Sequence, residues 1–507
     1  MVFSSDASNL VSGDLNSMTD VFVYDSTTSA VTRVSVDSFG AEANGASITS
    51  LAQSISGNGE CVAFWSSAND LVAGDTNGVF DIFVNDRATG ITERVSVDSS
   101  GGEASLDCTE CSISEDGNAV AFVSASANLV NGDTNGAYDV FIHDRATGVT
   151  ERVSVDSSGA EANGSSSQPC LSGDGRFVVF SSSATNLVIG DKNGAIDVFI
   201  RDRQLGTTER ISVSAAGKGG NGDSERPFVT RDGRFVAFQS KATNLVSGDT
   251  NSFLDVFVRD VVLASTSRVS IDSSGGEANG DSSWPTMSPD GTFVAFSSKA
   301  SNLVGSDQNG VEDAFSHRLS SGETVRISVD SAGNESNGSS GGFVAVSDFG
   351  SLFAFGSAAS NLVSSDTNGV ADVFQYDRCG VTATWINYGS GLGGTLGVPS
   401  ISALQMPVLG GVVTVYVGNS RGAPTIGVLV VGDQRGSFHT KYGADLLVTP
   451  AFIIPISFSF GGNQFTGTLS SNADYCGATI DIQALEVDSG APLGVSFSDG
   501  LELQLGR

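Results

Sequence analysis

The chain has 507 residues, of which 63 are Gly and 10 Pro, with 39% apolar and 16% charged residues. That is too long for one ordinary core, too apolar for disorder, and too rich in glycine and turn residues for an all-helical protein. Its 57 acidic against 25 basic side chains give a formal net charge of −32, which repels nucleic acid and anionic membrane surfaces and favours cations as partners.

No stretch approaches the roughly 20 apolar residues that span a bilayer, so no membrane insertion is expected. Met1-Val2-Phe3-Ser4 has neither the basic nor the apolar region of a signal peptide. Val2-Phe3-Ser4-Ser5 matches Val179-Phe180-Ser181-Ser182 in the middle of a repeat, so an upstream segment, the place for any export signal, is expected.

The repeat is marked by an Asp-x-Asn segment whose Asp falls at 14, 75, 133, 191, 249, 307 and 366, with spacings of 61, 58, 58, 58, 58 and 59. Seven units thus fill residues 1–380. Each has a turn such as Pro289-Asp290-Gly291 and an apolar run such as Phe293-Val294-Ala295-Phe296. Then come Asn302-Leu303-Val304, the Asp-x-Asn segment, and a second strand such as Asp255-Val256-Phe257-Val258-Arg259-Asp260. A third strand such as 208–213 follows, and a fourth such as 283–288 comes after a Glu-Ala-Asn-Gly loop.

Four short strands per unit at a fixed period near 58 call for propeller blades rather than a solenoid. Phe177-Val178-Val179-Phe180 is apolar on both faces, as an inner strand packed between neighbouring blades must be. The alternation of Arg94, Ser96 and Asp98 with Val95 and Val97 suits an outer, charged edge. The first three strands are counted seven times and the Gly-loop strand six, so one blade is a strand short. Either residues upstream of Met1 or the region after Asp377 is expected to complete it.

Ser172-Gly173-Asp174-Gly175-Arg176-Phe177-Val178-Val179-Phe180 with Asp197-Val198-Phe199-Ile200-Arg201-Asp202 resembles the TolB-like, WD40-like (PD40) propeller repeats of bacterial proteins. The resemblance covers about three quarters of the chain and implies a seven-bladed β-propeller over residues 1–380. Propellers of this kind serve as binding platforms, assembly partners and occasionally enzymes.

Beyond about residue 384 the repeat stops. Strand-like runs at 412–417, 426–431, 452–460 and 480–487 predict a second all-β domain, residues 381–507, of a size usual for a β-sandwich. Thr384-Trp385-Ile386-Asn387-Tyr388-Gly389-Ser390-Gly391, Gly397-Val398-Pro399-Ser400, Ala484-Leu485-Glu486-Val487-Asp488 and Gly500-Leu501-Glu502-Leu503 resemble a C-terminal β-sandwich module of secreted bacterial proteins. That resemblance implies export, an extracellular or cell-surface location, and a disulfide between Cys379 and Cys476; two unpaired half-buried thiols are the alternative.

The strongest candidate site is the pattern D-x-N-x-x-x-D, present in all seven units: Asp14, Asn16 and Asp20; Asp75, Asn77 and Asp81; Asp133, Asn135 and Asp139; Asp191, Asn193 and Asp197; Asp249, Asn251 and Asp255; Asp307, Asn309 and Asp313; Asp366, Asn368 and Asp372. Two carboxylates and an amide oxygen on a tight turn are hard ligands suited to Ca²⁺. The spacing resembles FG-GAP and EF-hand loops in its first two ligands, but the fifth position holds Met18, Val79, Ala137, Ala195, Phe253, Val311 and Val370, which cannot ligate. The other reading is structural: Asp and Asn accept hydrogen bonds from turn amides and anchor the turn to the next strand.

Glu42, Glu103, Glu161, Glu277 and Glu335 also recur, with Gly219 breaking the series, and are expected to be exposed turn residues. Arg33, Arg94, Arg152, Arg210, Arg268 and Arg326 are expected to pair on the surface with Asp25, Asp86, Asp144 and their counterparts, at under about 1 kcal/mol each.

For catalysis the parts are mostly missing. His143, His317 and His439 are scattered, the first two at strand positions expected to be surface substitutions, and no H-x-H, H-E-x-x-H or G-x-S-x-G occurs. Gly389-Ser390-Gly391-Leu392-Gly393-Gly394 has no helix after it and is a loop rather than a nucleotide site. Cys108-x-x-Cys111 is expected to form a disulfide, local or with Cys170 or Cys61, and Cys61 also aligns with the buried Phe177 and Phe235. Departures from the repeat at Asp107-Cys108, Lys218-Gly219 and Ser316-His317-Arg318 share no chemistry. The expectation is a non-enzymatic binding protein for a protein or glycan ligand; the alternative is a carbohydrate-active hydrolase or lyase using acids at the propeller's central face.

Overall fold

The computed structural model describes residues 1–26, 28–50, 53–380, 383–442, 444–470 and 473–506. The chain is all-β and divides into two compact units, one of Met1–Ser347 with Phe353–Tyr376, the other of Asp348–Leu352 with Asp377–Arg507. The predicted boundary at 380/381 adjoins residues 381 and 382, which lie outside the described residues.

In the first unit each repeat becomes one antiparallel sheet with its strands in chain order. The fourth is representative: Ser166–Leu171, Phe177–Ser182, Asp197–Asp202 and Thr207–Arg210. Five such four-stranded sheets are flanked by two three-stranded ones. The first sheet has Val2–Ser5, Asp20–Asp25 and Ala30–Arg33, and the last has Ser340–Val346, Leu352–Ser357 and Asp372–Asp377.

The Arg-bearing strand therefore occurs six times among the described residues, not seven. Among the described residues the first sheet has no fourth strand, and Thr384–Tyr388 pairs with Gly500–Gln504. The strand that follows the Gly loop is the innermost: Cys108–Ile113, Ser166–Leu171, Ser224–Val229, Ser282–Met287 and Ser340–Val346 lie side by side in successive sheets. The apolar run expected to be an inner strand between neighbouring sheets is the second strand, packed on both faces.

Consecutive sheets share cores built by the period-2 alternation. Val179, Val198, Ile200 and Ile211 of the fourth sheet pack on Val236, Phe238 and Phe257 of the fifth. Phe180 and Phe199, opposite one another in register, stack at 5.9 Å on the face turned to the third sheet. Both faces being covered explains the continuous apolar runs.

Turns are stitched across sheets as well: Glu115 N–H donates to Gly173 O and Gly173 N–H to Arg231 O, each at 2.9 Å. Gly233 turns at φ 73° against the ring of Phe177 in the preceding sheet, where a Cβ would collide.

Six shared cores join the seven sheets in sequence. Among the described residues none joins the seventh to the first. Val373 in the seventh sheet is 43% exposed, whereas its counterparts Val198 and Val256 are fully buried.

The second unit builds one core from two sheets. Ile401–Ala403, Val412–Val417 and Asn463–Thr468 form one; Thr384–Tyr388, Gly500–Gln504, Thr479–Val487, Thr425–Gly432 and Phe452–Phe458 form the other, with Val495–Phe497 attached. Val413, Val415 and Val417 meet Leu429, Ala484, Leu501 and Leu503 between them.

Cys379 and Cys476 form a disulfide, a bond that points to a non-reducing environment. The other expected disulfides are absent: Cys61, Cys108, Cys111 and Cys170 are free and buried. Burial pushes the Cys108 thiol up to about 12 and the Cys111 and Cys170 thiols up to about 11, so all three are small apolar core residues rather than redox groups. Among the described residues no helix is long and apolar enough to cross a membrane.

Candidate functional site

The Asp-x-Asn corners fold as the sequence pattern demands, around an added residue. In the first sheet Asp20 is fully buried. It accepts Ser35 Oγ–H at 2.5 Å and Asn16 Nδ2–H at 3.1 Å, while Asn16 Oδ1 accepts the Met18 amide at 2.8 Å. Between the carboxylates lies Arg33 Nη1, 3.7 Å from Asp14, 3.4 Å from Asp20 and 2.8 Å from Glu42.

The set repeats in four further sheets. Arg94 holds Asp75, Asp81 and Glu103, and Arg152 holds Asp133, Asp139 and Glu161. Arg268 holds Asp249, Asp255 and Glu277, and Arg326 holds Asp307, Asp313 and Glu335. Asn77, Asn135 and Asn309 donate to Asp81, Asp139 and Asp313, and Asn251 donates to Ala278 O.

In the fourth sheet Asn193 donates to Asp197, and Arg210 binds Asp191 at 3.1 Å and Asp197 at 3.2 Å. Its guanidinium fills the space that a Cβ at Gly219 would take.

Each of these six corners sets one guanidinium against two or three carboxylates, and in the first Asp14, Asp20 and Glu42 bring one oxygen each within 4.8 Å of one another, a spacing that could also hold a metal ion. In the seventh sheet Asn368 Nδ2 donates to Asp372 at 2.9 Å, Asp366 lies in the same cleft, and among the described residues no arginine enters.

Two expectations are corrected here. The arginines do not pair with Asp25, Asp86 and Asp144, because Arg33 stands opposite Phe22, one same-face step from Asp20, while Asp25 stands opposite Ala30 at the far end of the strand. Asp86 and Asp144 instead accept turn amides, from Ala88 and Thr147. Nor are the recurrent glutamates idle turn residues. Bridges such as Val97–Glu103 bring each to its arginine, and a second oxygen contact ties it to the corner, as in Thr76 Oγ1–H donating to Glu103 at 2.5 Å.

Hydroxyl and amide donors hold Glu103, Glu161 and Glu277 below the usual carboxylate range, led by Thr76, Thr134 and Thr250. Burial pushes Asp75, Asp133, Asp191, Asp249 and Asp307, and likewise Asp139 and Asp255, above it.

The other departures from the repeat are structural. Asp107 accepts the Phe80 amide as Asp223 accepts that of Ile196. His143 and His317 are buried rather than on the surface. Their Nδ1 atoms lie 2.8 and 2.9 Å from the hydroxyls of Thr150 and Thr324, the role that Asn85 and Arg259 play towards Thr92 and Thr266. Burial lowers the His317 imidazole to about 4. His439 is exposed beside Asp445.

A second set of residues escaped the sequence reading. Each innermost strand carries a bulge after its second residue, between Thr109/Ser112, Ser167/Cys170, Glu225/Phe228, Ser283/Thr286 and Gly341/Val344. The bulged residue is left-handed: Glu110 (φ 50°), Gln168 (57°), Arg226 (55°), Trp284 (57°) and Gly342 (74°), each 58 positions after the last. Four non-glycine residues in this region are strained backbone that the surroundings must enforce.

The enforcement is visible, since the amides of four of the five bulges are caught by a side chain of the preceding sheet. Glu110 takes Gln168 N–H at 2.7 Å, Gln168 takes Arg226 N–H at 2.8 Å, Gln239 takes Trp284 N–H at 3.1 Å, and Ser297 takes Gly342 N–H at 2.8 Å. The side chains form a row across the inner strands. The Arg226 guanidinium lies over Trp284, 3.2 Å from the ring centroid, and Trp284 meets Phe343 edge-on at 4.8 Å. The signal that could have found the row is the proline following three of its members, Pro169, Pro227 and Pro285, which marks an edge strand.

No protein-family model matches the sequence, and no curated protein matches it. Solved structures do. A protein described as TolB from Agrobacterium tumefaciens is 14% identical, with 64% of this chain and 88% of that chain covered and a TM-score of 0.37. The periplasmic gluconolactonase PpgL of Pseudomonas aeruginosa is 11% identical over 92% of this chain and 100% of that one, at 0.35. The GH74 enzyme of Niastella koreensis is 11% identical over 95% and 69%, at 0.37. Likeness at this level does not extend to activity or ligand.

Proposed function

We propose that this is a non-enzymatic, secreted or cell-surface binding protein. Its first unit is read as a seven-bladed β-propeller whose inner strands carry the ligand site, and its second as a β-sandwich serving attachment or assembly. The observation that carries the reading is the inner row: one strained position in four successive sheets holds Glu110, Gln168, Arg226 and Trp284 in turn, whereas the outer corners repeat nearly the same residues throughout. A repeat varies where it meets something other than itself. The single disulfide supports export.

Calcium is proposed for the seventh corner alone, Asp366, Asn368 and Asp372, the one that no arginine enters among the described residues; at the other six a guanidinium offsets part of the carboxylate charge.

The test is a glycan and protein binding screen of the full chain, repeated with Gln168, Arg226, Trp284 and Phe343 all changed to Ala. Binding should fall by at least about tenfold; because Gln168 also holds the Arg226 amide, the triple change of Arg226, Trp284 and Phe343 should give the same loss with Gln168 kept and the thermal midpoint held. Binding that is indifferent to the four changes overturns the reading, and shortened glycan products from the wild-type protein favour the hydrolase or lyase.

A further inference from the structure

Arginines elsewhere in the first unit are consumed by structure. Arg33 and its counterparts pair with the corner carboxylates, Arg176 and Arg234 bind Asp202 and Asp260, and Arg145 and Arg203 bind Glu93 and Glu151. Arg226 is different. It is half-buried on an inner strand, its backbone is pinned by Gln168, and its guanidinium rests on the Trp284 ring. Among the described residues it has no hydrogen bond or ion pair from that guanidinium. Burial lowers its pKa, and Glu225 and Glu110 are the acids whose charge it feels.

A guanidinium fixed in plane by an aromatic ring leaves its edge donors free, a fork that matches a planar carboxylate. Around it the innermost strands present Gln168, Glu225 and Ser283, partly exposed amide, carboxylate and hydroxyl groups. Phe343, 56% exposed, extends the aromatic surface past Trp284. Polar hydrogen-bonding groups beside an aromatic platform suit a ring with hydroxyls on its edge and C–H bonds on its face. A phosphate would bring a second negative charge towards Glu110 and Glu225 on a protein of net charge −32, whereas a carboxylate brings one.

We infer that the inner row binds a uronate-bearing glycan, its carboxylate on Arg226, its sugar face along Trp284 and Phe343, and its hydroxyls on Gln168, Glu225 and Ser283. This rests on the inner row being the binding face.

The experiment titrates the full chain with a galacturonate hexamer, the same hexamer fully methyl-esterified, and poly-glutamate. The acid should bind, with the ester and the Arg226→Gln variant each weaker by at least about tenfold, Arg226→Lys intermediate, and Phe343→Ala weakened towards acid and ester alike. The uronate assignment is overturned if the hexamer does not bind, if the ester binds equally, if Arg226→Gln binds as wild type, or if poly-glutamate binds more tightly than the hexamer. A different ligand lost on changing Trp284 or Phe343 but indifferent to Arg226→Gln would overturn the uronate and leave the inner row standing. Ligands indifferent to every substitution in the row would overturn both.

Discussion

The outer corners recur in seven sheets and the inner row in five among the described residues, yet they are built in opposite ways. At the corners the same residues recur, Arg152 is 9% and Asp139 0% exposed, and carboxylates face a guanidinium of the same protein, although Asp133 Oδ2, Asp249 Oδ1 and the Nε of Arg152, Arg210, Arg268 and Arg326 are buried without a hydrogen-bond partner. In the row the backbone recurs while the side chains change, and Arg226 keeps its donors unused. Uniformity marks the places where a sheet must close on itself; variety marks the places where it meets something else.

The comparison can be broken most directly by removing a charge from each region. Arg152→Ala leaves Asp139 and Asp133 buried without their counter-charge, and chemical denaturation should show a loss of about 3–5 kcal/mol. Arg226→Gln, with no bond to lose beyond its stacking on Trp284, should cost about 1 kcal/mol or less. Equal losses would erase the distinction.

The ends of the array give the next largest effect. Val256→Ala opens a gap in a closed interface and should cost about 2 kcal/mol, while Val373→Ala on the uncovered face should stay under about 0.5 kcal/mol. A matching loss at Val373 would mean that the seventh and first sheets close into a ring in solution.

Acid should then separate the two kinds of corner carboxylate. Burial raises the folded-state pKa of Asp75, Asp133, Asp139 and their counterparts, so the folded protein takes up protons before the unfolded one, and their contribution to stability rises as pH falls. Glu103, Glu161 and Glu277 are lowered, so their contribution is complete above the unfolded value of about 4.3 and is lost below it. The thermal midpoint should hold or rise from about pH 7 to 5 and fall below about pH 4; a steady fall from neutrality would contradict the burial of the aspartates.

Smallest is the metal effect. EDTA should leave the midpoint within about 1 °C. Millimolar Ca²⁺ should stabilise by under about 1 kcal/mol, an increment removed by Asp372→Asn and untouched by Asp133→Asn. A large shift on chelation would put metal at the arginine-filled corners.

Much of this architecture was legible beforehand. The predicted second strand at 255–260 is the observed Asp255–Asp260, and the predicted fourth at 283–288 is Ser282–Met287, because alternating or continuous apolar runs fix a strand locally. The corners were half legible. Asp14, Asn16 and Asp20 lie within one turn, but Arg33 reaches them only through the pairing of Phe22 with Arg33, and Glu42 only through its bridge to Val36. The row was only faintly legible, since Glu110, Gln168, Arg226 and Trp284 share no chemistry and only the prolines that follow three of them mark the place.

What the chain by itself determined is periodic: the 58-residue interval, the strand order within each sheet, and the change of composition after the seventh unit. Tertiary structure alone decided which charges neutralise one another and which positions face inward. Those outcomes depend on strand register and on the stacking of whole sheets, where a shift of one residue turns every side chain to the opposite face.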